Sequence, residues 1–230
     1  MLAVELKELI AEGESLTLEF KRKVTEKEKF AKEITALANT RGGIILVGVD
    51  DDGTIYGIES EKSDIDIVEQ ICRFEIQPPI TPELEIIAVK NKFVLVLYID
   101  ESNEKPHTIM IYDNERKNII RRAYIRMGDK SVIASREMYR YLVSRNRDIP
   151  LTIGIGENEK RLFAYLEKAE RITVNDFAGL VNISIRRAER LLIRLVQAGV
   201  LHIHNDMQSD YFTLIDINEF KMPKLKVKIR

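Results

Sequence analysis

The sequence predicts an α+β fold in two domains. A mixed sheet with flanking helices is expected over residues 1–147, a linker over 148–157, and a small helical domain with a β-hairpin and a C-terminal tail over 158–230. Three observations lead there. Helix-type, strand-type and hairpin-type patterns follow one another from Val4 to Ile58; a stretch with no clear period, one Pro and two Gly occupies 146–158; and three amphipathic helical segments then precede two short apolar runs. At roughly 100–200 residues per domain, 230 residues suit one larger and one smaller unit.

In chain order, Leu6, Leu9 and Ile10 have helical spacing, and Gly13 stops that first helix. Leu16, Leu18 and Phe20 then alternate with Thr17, Glu19 and Lys21, the pattern of a half-buried strand. Phe30, Ile34, Leu37 and Ala38 restore the helical period up to Asn39 and Gly42-Gly43, residue types that tolerate the left-handed end of a helix. Ile44–Val49 is a continuous apolar run closed by Asp52-Gly53, which predicts a hairpin with Thr54–Ile58 as the returning strand. A helix at Ile65–Phe74, broken by Pro78-Pro79, leads to a second hairpin, Leu84–Val89 with Phe93–Ile99. Strands then dominate to about Met127, and Ser135 caps a helix over Arg136–Arg145.

In the last third, Leu162, Phe163, Leu166 and Ala169 mark one amphipathic helix. Thr173 and Asp176 form a capping-box pattern opening a second, and Ser184 caps a third over Ile185–Ala198. The apolar stripe of that third helix is read as Ile185, Ala188, Leu192, Leu195 and Val196, with Arg186, Arg187, Arg190 and Arg194 directed elsewhere. Leu201–His204 and Tyr211–Leu214 flank a polar tip. Three helices, a hairpin and an arginine-rich third helix are the layout of a winged helix-turn-helix, whose third helix enters the DNA major groove.

With 45% hydrophobic and 32% charged residues, 11 Gly and 6 Pro, the chain has the composition of a globular protein and not of a collagen-like or largely disordered one. No run approaches the roughly 18 apolar residues of a membrane span. The first residues, MLAVELKELIAEGE, mix charge into their apolar stretch unlike a signal peptide, so a cytoplasmic protein with no membrane partner is expected. The single cysteine, Cys72, excludes an intrachain disulfide and reads as a small core side chain.

The net charge of −1 is unevenly spread: residues 1–155 hold 23 Lys and Arg against 27 Asp and Glu, and residues 156–230 hold 13 against 10. Asn114–Arg147 alone contains ten cations against three acids, either a phosphate-contacting surface or a solvated basic face balanced elsewhere in the fold.

The segment Glu14-Ser15-Leu16-Thr17-Leu18-Glu19-Phe20-Lys21, then Ala38-Asn39-Thr40-Arg41-Gly42-Gly43, Gly48-Val49-Asp50-Asp51 and Tyr124-Ile125-Arg126-Met127-Gly128, resembles the Schlafen/Alba-like domain over about the first 140 residues. The resemblance implies an α+β fold, nucleic-acid binding and, in some members, a metal-dependent RNA-cleaving site of three carboxylates. Those acids correspond here to Glu14, Glu19 and Asp51, with Lys21 beside them. Relatives with this pattern also include proteins described only as transcriptional regulators. Because animal members pair two related lobes and this chain holds one motif set, the resemblance also implies a homodimer.

A hard cation such as Mg²⁺ or Mn²⁺ prefers carboxylate oxygens, and phosphodiester cleavage needs positive charge on the phosphate, so three acids at strand ends are a candidate metal and catalytic site. The same residues also read as a solvated strand face, a turn cap and a plain hairpin turn. Around such a site Lys21, Arg121, Arg122, Arg126 and Lys130 are the cations expected to hold phosphates on a shared surface, with Arg122, Tyr124 and Arg126 on one strand face and Ala123, Ile125 and Met127 turned to the core. Asn39–Gly43 suits either a phosphate-facing turn or a helix stop. No Gly-x-x-x-x-Gly-Lys-Ser/Thr is present, so no P-loop nucleotide site is expected, and His202 and His204 lack a third ligand for zinc. Two functions remain in play: a nucleic-acid-binding protein with a Mg- or Mn-dependent nuclease site for RNA or single-stranded DNA, and a non-enzymatic DNA-binding transcriptional regulator.

Overall fold

Why Leu18 and Phe20 are apolar becomes plain from the sheet they enter. In the computed structural model, which describes residues 1–113, 117–145, 155–206 and 209–215, the chain divides into two units, Met1–Ile133 and Ala134–Arg230. The first unit begins with α1 (Ala3–Glu12), β1 (Leu18–Lys21), α2 (Lys27–Asn39) and β2 (Gly43–Val47). β1 and β2 pair in parallel, Leu18 opposite Ile44 and Phe20 opposite Leu46, so α2 is the crossover that a parallel pair requires. The chain continues through α3 (Glu61–Gln70), a π-helical turn (Ile71–Glu75), β3 (Ile76–Gln77), β4 (Glu83–Val89) and β5 (Lys92–Ile99). The first sheet has the order β1-β2-β5-β4.

Both faces of this sheet are covered. Leu18, Phe20, Leu46, Val94 and Val96 pack with Leu6 of α1 on one side, and Ile45, Val47, Leu95 and Leu97 pack with Phe30, Ile34 and Leu37 of α2 on the other. The apolar run Ile44–Val49 is thus a central strand with partners on both edges. The expected hairpin with Thr54–Ile58 does not form: only Val49 and Ile55 make a bridge, because β5 holds the edge the returning strand would need. The β4–β5 hairpin forms as expected, with Val89 opposite Lys92.

A second sheet, β3-β6-β7-β8, is built from β6 (Thr108–Asp113), β7 (Asn118–Met127) and β8 (Lys130–Ile133), all antiparallel. Ile109 and Tyr124 of this sheet join the same core as α2, which therefore packs against both sheets. The Asn39 side chain closes that packing. Its Nδ2 donates to the carbonyls of His107 (2.8 Å) and Tyr124 (2.9 Å), and its Oδ1 accepts from the His107 N–H (2.8 Å).

The second unit contains α4 (Arg136–Arg145), α5 (Glu157–Ala169), β9 (Ile172–Thr173), α6 (Val174–Val181), α7 (Ile185–Gln197), β10 (Leu201–His204) and β11 (Tyr211–Leu214), with the strands ordered β10-β11-β9. Its core is Leu162, Leu166, Phe177, Leu192, Val196 and Phe212. Thr173 and Asp176 close the capping box, and Ser184 caps α7 as its sequence suggests. Two expectations are corrected. Ile185 is exposed, since the first turn of α7 projects beyond the core; and α4, expected in the first domain, belongs to the second unit, where Arg136 and Arg140 pair with the buried Glu189 of α7. The expected linker residues 148–154, the tail 216–230, Arg116 and Arg147 lie outside the described residues. Among the described residues no helix is long and apolar enough to cross a membrane.

Candidate functional site

Glu14 lies in the loop between α1 and β1, and its Oε1 accepts the Phe20 N–H at 2.8 Å, which fixes the entry into β1. Burial raises the Glu14 pKa above its ordinary value. Nearby Glu19 and Asp51 push the same way, against the Phe20 hydrogen bond and Lys21. Glu19, Asp51 and Lys21 are thus near enough to act on Glu14 through their charges. Asp51 itself is exposed in the turn after β2, next to Asp50, whose carboxylate lies 3.6 Å from Arg22.

Glu19 does not face open solvent as alternation along β1 suggested. Its side chain is 6% exposed, because the polar face of β1 lies on the side of the sheet that α2 covers. One of its oxygens pairs with Lys21, and the other accepts from Arg126 Nη1 at 2.7 Å. Arg126, 0% exposed at the side chain, also donates from Nη1 to Ser131 Oγ (3.1 Å) and Glu33 Oε2 (3.3 Å), and from Nη2 to the Ser15 carbonyl (2.6 Å). Ser131 in turn donates to Glu33. This network joins the loop before β1, β1, α2, β7 and β8. It is the ionic tie between the two sheets.

With both Glu19 oxygens held by cations and one Glu14 oxygen held by a backbone N–H, these donors do not fit a Mg²⁺ or Mn²⁺ centre in this arrangement. Among the described residues no group of three or more His, Cys, Asp and Glu stands close enough to hold a metal ion.

The expected basic surface is divided. Arg121 and Lys130 are exposed and Arg122 is half-buried, but Arg126 is internal and Lys21 half-buried on Glu19. The face of β7 bearing Arg122, Tyr124 and Arg126 is turned toward α2, and Ala123 and Ile125 on the opposite face are buried as well. Gly42 and Gly43 serve the helix stop and not a phosphate: the Gly42 N–H bonds the Leu37 carbonyl at 2.9 Å, and both glycines lie against neighbouring backbone with positive φ. Burial pushes the Cys72 thiol up to about 12, in keeping with a core role.

In the second unit, Arg186, Arg187, Arg190 and Arg194 are all exposed along α7, opposite the buried Ala188, Leu192, Leu195 and Val196. None of the four pairs with an acid among the described residues. Sequence reasoning missed Glu33, Ser131 and Glu189, and it read Asn39 as a helix end or phosphate-facing turn, not as the tie to His107 and Tyr124. Only Glu189 left a trace, as an acid inside the apolar stripe of α7.

Residues 14–135 match the family model described as Schlafen, AlbA_2, a span of more than half the chain. No curated protein matches the sequence. Among solved structures, a Corynebacterium diphtheriae protein is 23% identical, with 66% of this chain and 34% of that one covered at a TM-score of 0.43. The chain thus spans about a third of that protein's length. The N-terminal domain of a Nitrosomonas europaea protein, named as ATP-dependent DNA helicase RecG-related, is 26% identical, covering 54% of this chain and 82% of that domain at a TM-score of 0.39.

Proposed function

The chain belongs to the Schlafen AlbA_2 family, and from that premise we propose that it is a non-enzymatic nucleic-acid-binding regulator that contacts DNA through its second unit, a winged helix-turn-helix. The observation that carries the reading is the row of four exposed arginines on α7, unpaired among the described residues, whose opposite face is core. Charge agrees with it. Met1–Ile133 contains 19 Lys and Arg against 25 Asp and Glu, whereas Ala134–Arg230 contains 17 against 12, so the second unit is the one that attracts a polyanion. In this reading α7 enters the major groove, the arginines neutralise phosphates and release counterions, and the β10–β11 hairpin lies beside the groove as the wing. Glu189, clamped by Arg140 and Arg136, holds α7 against α4 and sets the angle at which the arginines are presented.

Fluorescence anisotropy with duplex DNA tests this: Arg186→Glu with Arg187→Glu should abolish binding at a salt concentration where the unaltered protein binds. Undiminished affinity would overturn it.

The second reading, a Mg- or Mn-dependent nuclease at Glu14, Glu19 and Asp51, is supported by the charges of Glu19 and Asp51 acting on Glu14. It requires Glu19 to leave Arg126. Divalent-dependent cleavage of RNA or single-stranded DNA that vanishes in Glu14→Gln, with the fold intact, would establish it over the first reading.

A further inference from the structure

We propose that the outer face of the β10-β11-β9 sheet is a phosphate-contacting surface whose two histidines, His202 and His204, tighten the hold on duplex DNA as pH falls. The proposal rests on the α7 reading above and adds the regulation of that site. The register sorts the side chains of the hairpin. Leu201, Ile203 and Phe212 turn into the core, and because His202 pairs with Thr213 and His204 with Tyr211, those four share the opposite face. Thr173 of β9, the partner of Tyr211, extends that face by one strand.

The rings on this face are packed as one stack. His204 lies flat on Tyr211, with centroids 4.8 Å apart and planes 10° from parallel, and His202 meets His204 edge-on at 6.1 Å. Arg171, exposed at the entry to β9, holds its guanidinium 5.4 Å from the centre of the Tyr211 ring. His204 Nε2 is 2.9 Å from Thr213 Oγ1. Two imidazoles are thus held in fixed orientation near a permanent cation, which lowers the entropy lost when an anion docks. An imidazolium at His204 also gains a favourable contact with the face of Tyr211.

The charges around the histidines leave this face to an incoming anion. Burial first, and then the charge of His202, hold the His204 pKa below its ordinary 6.5, so that ring is neutral in the free protein at neutral pH. No acid figures among those causes. Beside β9, the Asp176 carboxylate is taken by the Thr173 N–H and hydroxyl. At the tip, Asp210 is buried on Ser135, and Asp206 is exposed. Behind the sheet α5 and α7 present the core, and their buried acids are engaged, Glu159 by the Gly156 N–H and Glu189 by Arg140.

Duplex phosphate is the occupant this chemistry favours. The hairpin begins at Leu201, shortly after α7 ends at Gln197, so a duplex held by the α7 arginines passes beside it, and the unit carries 17 Lys and Arg against 12 Asp and Glu. A phosphate against either imidazole favours its protonated form, so docking takes up a proton. Affinity therefore grows as pH falls through the range in which the rings titrate in the complex, by about tenfold for each unit that docking adds to one imidazole's pKa.

Fluorescence anisotropy of the full chain with a mixed-sequence duplex, at constant salt from about pH 8 to about pH 6, tests the proposal. The unaltered protein should gain at least about threefold in affinity over that range. His202→Gln combined with His204→Gln should bind with little pH dependence. His202→Arg, an exposed position given a permanent charge, should bind more tightly than the unaltered protein at the alkaline end and gain less on acidification. Circular dichroism at both ends establishes that each variant is folded, and His202→Gln alone halves the response if the double variant is not. Affinity of the unaltered protein that does not change with pH, or an equal gain in the glutamine variants, overturns the proposal and leaves the α7 reading standing. Duplex binding that ignores Arg186→Glu with Arg187→Glu overturns the α7 reading instead, and no duplex binding at either end overturns both.

Discussion

Arg126→Met removes the guanidinium from the centre of the ionic tie while keeping most of its apolar stem. Four donated hydrogen bonds are lost, and the Glu19 and Glu33 carboxylates, 6% and 13% exposed, are left beside a thioether. Breaking a buried pair by deleting one partner costs about 3–5 kcal/mol, because the remaining charge has been taken out of water without compensation. Lys21 still touches Glu19, and its half-buried ammonium offsets part of that cost, which places the expected loss near the lower end, about 3 kcal/mol. Against a total stability of about 5–15 kcal/mol this is a large fraction, and for a unit of this size it corresponds to a melting shift of roughly 10 °C.

Glu19→Gln should cost less, about 1–2 kcal/mol, because the amide oxygen still accepts from Arg126 while Glu33 supplies the balancing charge. The double variant should cost less than the two single losses together by about 1–3 kcal/mol, the coupling expected of groups in direct contact. Urea denaturation followed by circular dichroism gives all three values. If Arg126→Met loses less than about 1 kcal/mol, or the losses simply add, Arg126 is not held as described and the internal tie is refuted.

Three further outcomes follow from other parts of the molecule. Replacing Arg186 and Arg187 by Ala should weaken duplex binding and make the plot of log affinity against log salt shallower by about 1.8, roughly 0.9 per phosphate contact removed, read by anisotropy titrations at several salt concentrations. His107 Nδ1 donates to the Pro78 carbonyl at 2.7 Å and Nε2 accepts from Ser102 at 2.6 Å, and burial holds its pKa below the ordinary 6.5. The neutral ring thus contributes stability that is complete above about pH 6.5 and is lost as pH falls below it toward the folded-state pKa, so His107→Gln should flatten that part of the stability profile in denaturant titrations. Gly43→Ala would place a methyl group against the Thr17 carbonyl at a positive φ, where β1 and β2 meet, and should lower stability by more than 1 kcal/mol in the same assay; a neutral result would mean that the β1–β2 approach is looser than described.

What the sequence disclosed, and what it withheld, divides along a physical line. Helices and their ends were legible because the signals are local: the Thr173–Asp176 capping box, Ser184 at the start of α7 and the stop at Gly42 all depend on residues within one turn. The β4–β5 hairpin was legible for the same reason. The fate of Thr54–Ile58 was not, since it depended on β5, some forty residues further on, reaching β2 first. Nor was the assignment of α4 to the second unit, which rests on Glu189 lying between Arg136 and Arg140.

The same line explains why one set of cations was placed correctly by its pattern and the other was not. On an α-helix, a buried stripe through Ala188, Leu192 and Leu195 directs Arg186, Arg187, Arg190 and Arg194 outward, for an isolated surface helix has one covered side and an open remainder. A strand has two faces, and alternation separates them without saying whether the second is covered. Glu19 and Arg126 occupy polar positions on alternating strands, but the first is in a parallel pair with α2 folded across it and the second is on the strand packed against the same helix. Two polar residues on strands covered by one crossover helix meet each other before they meet solvent. Their opposite charges are therefore an internal pair, and the apparent half of a phosphate-binding surface becomes part of what holds the two sheets together.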